Sequence, residues 1–246
     1  MGSMNFDAVA TRNAVALPAG DAPAIDALDL APPGSRVVMV APHPDDEILA
    51  LGATLSALHD AGRAVRVIAV TDGDASHPDS AAWPPERLRT VRPAETAEAL
   101  RRLGLDPNAV VRFGLPDGGL AGREHALARR IAALLQPGDV VCVPWRHDGH
   151  PDHEACARAA LEATRAAGVR CIEFPVWSRV PAHPAHAGLR GVALRRILVP
   201  ADLQIAKSHA VQAFRSQLDD DGETAAVLQP LALRTWLDTD EWVIAP

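Results

Sequence analysis

The chain has 246 residues, 48% of them hydrophobic and 22% charged, with a formal net charge of −7. That length suits one domain with a sizeable core, and the composition is that of an ordinary soluble globular protein. The acidic balance argues against a broad nucleic-acid-binding face, which needs clustered Lys and Arg, and no run approaches the ~20 apolar residues of a membrane-spanning helix.

Residues 1–33, rich in Ala, Pro and Asp, read as an N-terminal arm that opens with a tag-like Met1-Gly2-Ser3, and 34–246 read as a single domain. The run 36–41 is short, apolar and β-branched, and predicts a buried strand. From Asp46 the apolar residues Ile48, Leu49, Leu51, Leu55 and Leu58 fall on a helical stripe that stops near Gly62. A second strand follows at 65–70. Helices are then expected over 86–103, 124–135 and 154–167, and strands at 110–113, 139–144 and 170–176. This alternation predicts an α/β fold whose mostly parallel sheet carries helices on both faces. Beyond Gly191 the pattern is less regular: a strand over 192–198, a helix over 201–218 and an edge strand at 242–244. Cys142, Cys156 and Cys171 are widely spaced in apolar runs, which reads as buried free thiols in a reducing cytoplasm.

Two polar clusters interrupt this apolar pattern, each just after a predicted strand. The first is His43-Pro44-Asp45-Asp46-Glu47. In open α/β sheets ligands bind at the carboxyl ends of strands, and imidazole and carboxylate are good zinc ligands. A tight turn can aim His43 and Asp46 at one point and leave Asp45 beside them as a base. One Asp here would pass for a helix cap. Three acids in succession repel one another unless a cation offsets them. The second cluster is His147-Asp148-Gly149-His150-Pro151-Asp152-His153-Glu154. His153, at the helix start, is the best third metal ligand, and His150 pairs with Asp152, whose carboxylate would orient the ring. Two His and one Asp leave zinc an open position, as in a catalytic site. The chemistry expected is hydrolysis by an activated water, with Asp45 taking its proton and His150 stabilising the oxyanion or protonating the leaving amine. There is no Gly-x-Ser-x-Gly nucleophile elbow and no Gly-rich phosphate loop.

Ala41-Pro42-His43-Pro44-Asp45-Asp46-Glu47 together with His150-Pro151-Asp152-His153 resembles the LmbE-like, or PIG-L, family of zinc-dependent N-deacetylases. Thr71-Asp72-Gly73, Arg92-Pro93-Ala94-Glu95 and Gly114-Leu115-Pro116-Asp117-Gly118 look like further signatures of that family, and Glu173 to Trp177 and Ser216-Gln217 resemble later, weaker ones, so the resemblance runs from about Val37 to Gln217. It implies a Rossmann-like fold, one Zn2+ per chain on His43, Asp46 and His153, and Asp45, His150 and Asp152 as catalytic groups. It further implies Arg92 and Asp117 as sugar contacts and a small N-acylated amino sugar as substrate. A homo-oligomer is compatible with it. Some members carry a Tyr at the oxyanion, two residues before the first His of the second motif; here that place is Asp148 and the chain has no Tyr. Two rival readings are a member that binds metal without turnover and a two-metal phosphoesterase.

Overall fold

A computed structural model describes residues 22–222, 224–237 and 240–245; residues 1–21 of the expected arm lie outside that set. The elements are β1 (Ala24–Asp26), β2 (Arg36–Ala41), α1 (Asp46–Asp60), β3 (Ala64–Thr71), α2 (Pro85–Arg102), β4 (Val110–Leu115), α3 (Glu124–Ala132), β5 (Val140–Pro144), α4 (Pro151–Ala167), β6 (Arg170–Phe174), β7 (Leu194–Leu198), α5 (Ala201–Val211), α6 (Arg215–Leu218), α7 (Pro230–Leu237) and β8 (Glu241–Ile244). Among the described residues no helix is long and apolar enough to cross a membrane.

The strands form one sheet in the order β1-β7-β8-β6-β5-β2-β3-β4, parallel except where β8 pairs antiparallel with β6 and β7. The central strands are buried on both faces, which is why β2 and β5 read as unbroken apolar runs. Successive residues of a strand point to opposite faces. Val37, Met39 and Ala41 therefore enter one core with α1, Phe214 of the α5–α6 connection and α7, while Val38 and Val40 enter the other with α3 and the alanine-rich face of α4. Gly168, in the left-handed conformation, closes α4.

Three details depart from the sequence pattern. β8 is not an edge strand but lies between β7 and β6. Residues 24–31 are part of the domain, since β1 pairs with β7, and Ala27, Leu30 and Ala31 are buried. The helix expected over 201–218 breaks into α5 and α6, with Phe214 wholly buried between them.

β8 also secures α1. That helix breaks at Leu51 (φ −133°, ψ 21°), which frees backbone N–H groups at the start of its second half. The buried Glu241 carboxylate accepts from Ala53 N–H and Thr54 N–H at 3.0 and 2.8 Å, and Lys207 Nζ of α5 stands 2.8 Å from it.

Candidate metal centre and active site

β2 and β5 are hydrogen-bonded neighbours, but the chain leaves β2 toward β3 on one side and β5 toward β6 on the other. Strand order reverses between them, and such a switch point opens a crevice at the carboxyl ends of the strands. Both His-rich segments leave the sheet there.

His43 Nδ1, His153 Nε2 and Asp46 Oδ2 converge. The two ring nitrogens are 3.2 Å apart, and they stand 3.3 and 3.2 Å from the carboxylate oxygen. Ligands arranged tetrahedrally about 2.0–2.2 Å from zinc are about 3.3–3.6 Å from one another, so the three atoms span one face of such a site. All three residues are buried. With the two facing ring nitrogens unprotonated, three lone pairs meet at one point, an arrangement that a cation satisfies. Two imidazoles and one carboxylate could hold a divalent cation and leave it an open position.

The surrounding groups hold the triangle in place. Asp46 Oδ2 accepts from the His43 backbone N–H at 2.9 Å. Burial favours the neutral Asp46 carboxyl, but the adjacent His153 and His43 hold it well below the usual carboxylate range. His153 Nδ1 lies 2.8 Å from Asp148 Oδ2, which leaves Nε2 to face the triangle. Burial alone would lower the His153 imidazole; Asp46 and Asp148 together lift it to about 9. Asp148, with no exposed surface, also accepts from Val176, Trp177 and Ser178 N–H and from Ser178 Oγ. A carboxylate that orients a ligating histidine is a recurrent feature of metal sites. The sequence did not single out this role for Asp148; its spacing of five residues before His153, across the start of α4, was the available signal.

His150 caps α4, its Nδ1 accepting from the Asp152 backbone N–H at 3.2 Å. Its ring lies 4.8 Å from those of His43 and His153. Burial, then the neighbouring His153 and His43, push its pKa down to about 3, so the ring is neutral with its proton on Nε2. The expected His150–Asp152 side-chain pair is absent. The Asp152 carboxylate instead accepts from Gly118 and Leu120 N–H and lies 3.5 Å from His43 Nε2. The reason is local: Asp152 is in the first turn of α4 and points toward the β4–α3 loop rather than back at its own cap. Asp117 Oδ1 lies 3.1 Å from His43 Nε2, and its other oxygen accepts from Ala75 N–H. Both carboxylates thus orient the back of the His43 ring.

Asp45 and Glu47 are buried beside the triangle. Burial raises both carboxyls, Asp45 to about 7 against the pull of Arg92, and Glu47 to about 8. Arg92 is 3% exposed, donating to Gly73 O, Pro44 O and Asp45 Oδ2. Three of its five N–H groups are engaged by these acceptors. The loop histidines His183 and His186 are buried, as are His77 and Trp145. The three cysteines are free, two of them fully buried.

The family described as GlcNAc-PI de-N-acetylase, PIG-L, matches residues 38–164, just over half of the chain. The chain belongs to the PIG-L family. It is 27% identical to a 1D-myo-inositol 2-acetamido-2-deoxy-alpha-D-glucopyranoside deacetylase of Streptomyces avermitilis over 82% of each chain. It is 30% identical to the enzyme of the same description from Saccharomonospora viridis, over 69% of this chain and 73% of that one. The fold matches that of the N,N'-diacetylchitobiose deacetylase from Pyrococcus horikoshii with a TM-score of 0.63 at 21% identity, covering 86% of this chain and 84% of the other.

Proposed function

We propose that this PIG-L member is a zinc-dependent hydrolase that removes an N-acetyl group from a small amino sugar or its conjugate, with one ion per chain on His43, Asp46 and His153. The observation that carries the reading is the buried triangle of two imidazoles and one carboxylate, 3.2–3.3 Å on a side, with the buried Asp45 carboxyl next to Asp46 in the chain. A divalent cation bound there would acidify a water molecule and polarise an amide carbonyl. Asp45 takes the water proton: it is ligand-adjacent, buried, and already raised toward neutrality by its surroundings. His150, neutral with Nε2–H free, donates a hydrogen bond to the oxyanion that develops on the carbonyl. That role fits its tautomer better than proton delivery to the amine. Asp148, Asp117 and Asp152 hold the two ligating rings in orientation. The small-molecule amino-sugar substrate follows from the relatives' described activities.

The test is release of acetate from a panel of N-acetylglucosamine conjugates, with a chelated sample as control and zinc counted by elemental analysis. The reading predicts turnover that chelation abolishes and one zinc per chain. Zinc bound without turnover across a broad amide panel would favour a binding protein; two metals per chain would favour the phosphoesterase.

A further inference from the structure

Resemblance makes Arg92 a sugar contact; its surroundings give it a second task. Its Nη2 bridges two acceptors, the Pro44 carbonyl at 2.7 Å and Asp45 Oδ2 at 3.0 Å, while Nη1 reaches the Gly73 carbonyl at 2.9 Å. Its Nε is buried with no partner among the described residues. The two acceptors of Nη2 lie on either side of the Asp45 N–Cα bond, and Asp45 is the one non-glycine residue with positive φ among the described residues, at 134°. A single nitrogen therefore clamps the rotation that aims the Asp45 carboxylate.

The clamp has a seat. At Gly73 (φ +66°) an added Cβ would lie 1.9 Å from Arg92 Nη1 and 2.4 Å from its Cζ. Only glycine lets that carbonyl come so close to the guanidinium. The turn is fixed by Thr71 Oγ1, which donates to Pro42 O at 2.8 Å and accepts from Gly73 N–H at 3.2 Å. Thr71-Asp72-Gly73 thus joins the end of β3 to the end of β2 and sets the guanidinium between them.

We propose that Arg92 is a positioning residue for the general base: seated on Gly73, it holds the Asp45 carboxylate in its working direction. This rests on the reading of Asp45 as the base. Removing the clamp misdirects the carboxylate, and a misplacement of ~1 Å in a catalytic group costs about 100-fold in rate.

The experiment uses zinc-loaded wild type, Arg92→Lys, Gly73→Ala, Asp45→Asn and the Asp45→Asn/Arg92→Lys double variant, each checked for zinc content and circular dichroism. Deacetylation of an N-acetylglucosamine glycoside is followed for kcat and KM. Arg92→Lys and Gly73→Ala are expected to lose about 100-fold in kcat. The double variant is expected to be no slower than Asp45→Asn alone, because the two residues act as one unit. A raised KM with kcat kept would leave Arg92 a substrate contact alone and overturn the proposal. So would an Arg92→Lys loss that recurs in full on the Asp45→Asn background, which would mark a merely structural role. If Asp45→Asn itself keeps the wild-type rate, the base assignment fails and the proposal falls with it. Crystal structures of zinc-loaded Arg92→Lys and Gly73→Ala give a readout independent of turnover: the Asp45 carboxylate should leave its wild-type position, and finding it unmoved would refute the clamp.

Discussion

Asp148→Asn tests whether the metal seat depends on its outer support. The wild-type carboxylate accepts from five groups: His153 Nδ1 and Trp177 N–H on Oδ2, and Val176 N–H, Ser178 N–H and Ser178 Oγ on Oδ1. Asparagine keeps the shape but offers a single acceptor oxygen. If its amide NH2 faces Val176 and Ser178, two backbone donors in a fully buried site lose their acceptor. If it faces His153, that ring must accept on Nδ1, and its proton moves to Nε2, the atom aimed at the triangle. Either orientation leaves buried donors opposed, at about 1–3 kcal/mol per unsatisfied group. Loss of an outer partner of a ligating histidine weakens metal binding by roughly 10–100-fold. The assays are competition with a chromophoric chelator for zinc affinity and urea unfolding of the metal-free protein for stability. The account predicts both losses together. A variant that binds zinc within about 2-fold of wild type, against the 10–100-fold expected, would show that Asp148 only ties loops together.

Three further outcomes follow from the same geometry. His43→Ala removes one corner of the triangle and should lose zinc on dialysis; unchanged zinc content would remove His43 from the ligand set. Asp45→Ala should keep one zinc and lose about 10²–10⁴-fold in turnover, the range of a general base; a near-wild-type rate would transfer that role elsewhere. Glu241→Ala strips two N–H groups of α1 and the buried Lys207 ammonium of their shared partner, and should cost about 3–5 kcal/mol; an unchanged urea midpoint would contradict the capping argument.

Much of the site was legible because its chemistry is local. His43 with Asp46, and His150 with His153, each lie within one turn after a strand, and the apolar runs of β2 and β5 announced those strands. What was hidden depends on partners distant in sequence. Trp242-Val243-Ile244 looks like any short terminal strand; its insertion between β6 and β7 is decided by pairing with Arg195, Arg196 and Glu173. Arg92 looks like an exposed helical charge, since its partners are carbonyls 19 and 48 residues away. Pro93 did not hide α2, expected over 86–103: it cannot donate to the Arg89 carbonyl, which instead accepts from Arg112. Asp152 was assigned to the wrong ring because sequence adjacency to His150 said nothing of its direction. His43, 109 residues earlier in the chain, is the ring its carboxylate faces.

The central claim is that one cation sits on His43, Asp46 and His153. Anomalous diffraction at the zinc absorption edge, from crystals grown with zinc, measures this directly. The account predicts one peak per chain, about 2.0–2.2 Å from His43 Nδ1, Asp46 Oδ2 and His153 Nε2. A peak on the other side of the ring, between His43 Nε2, Asp117 and Asp152, or none at all, would contradict it.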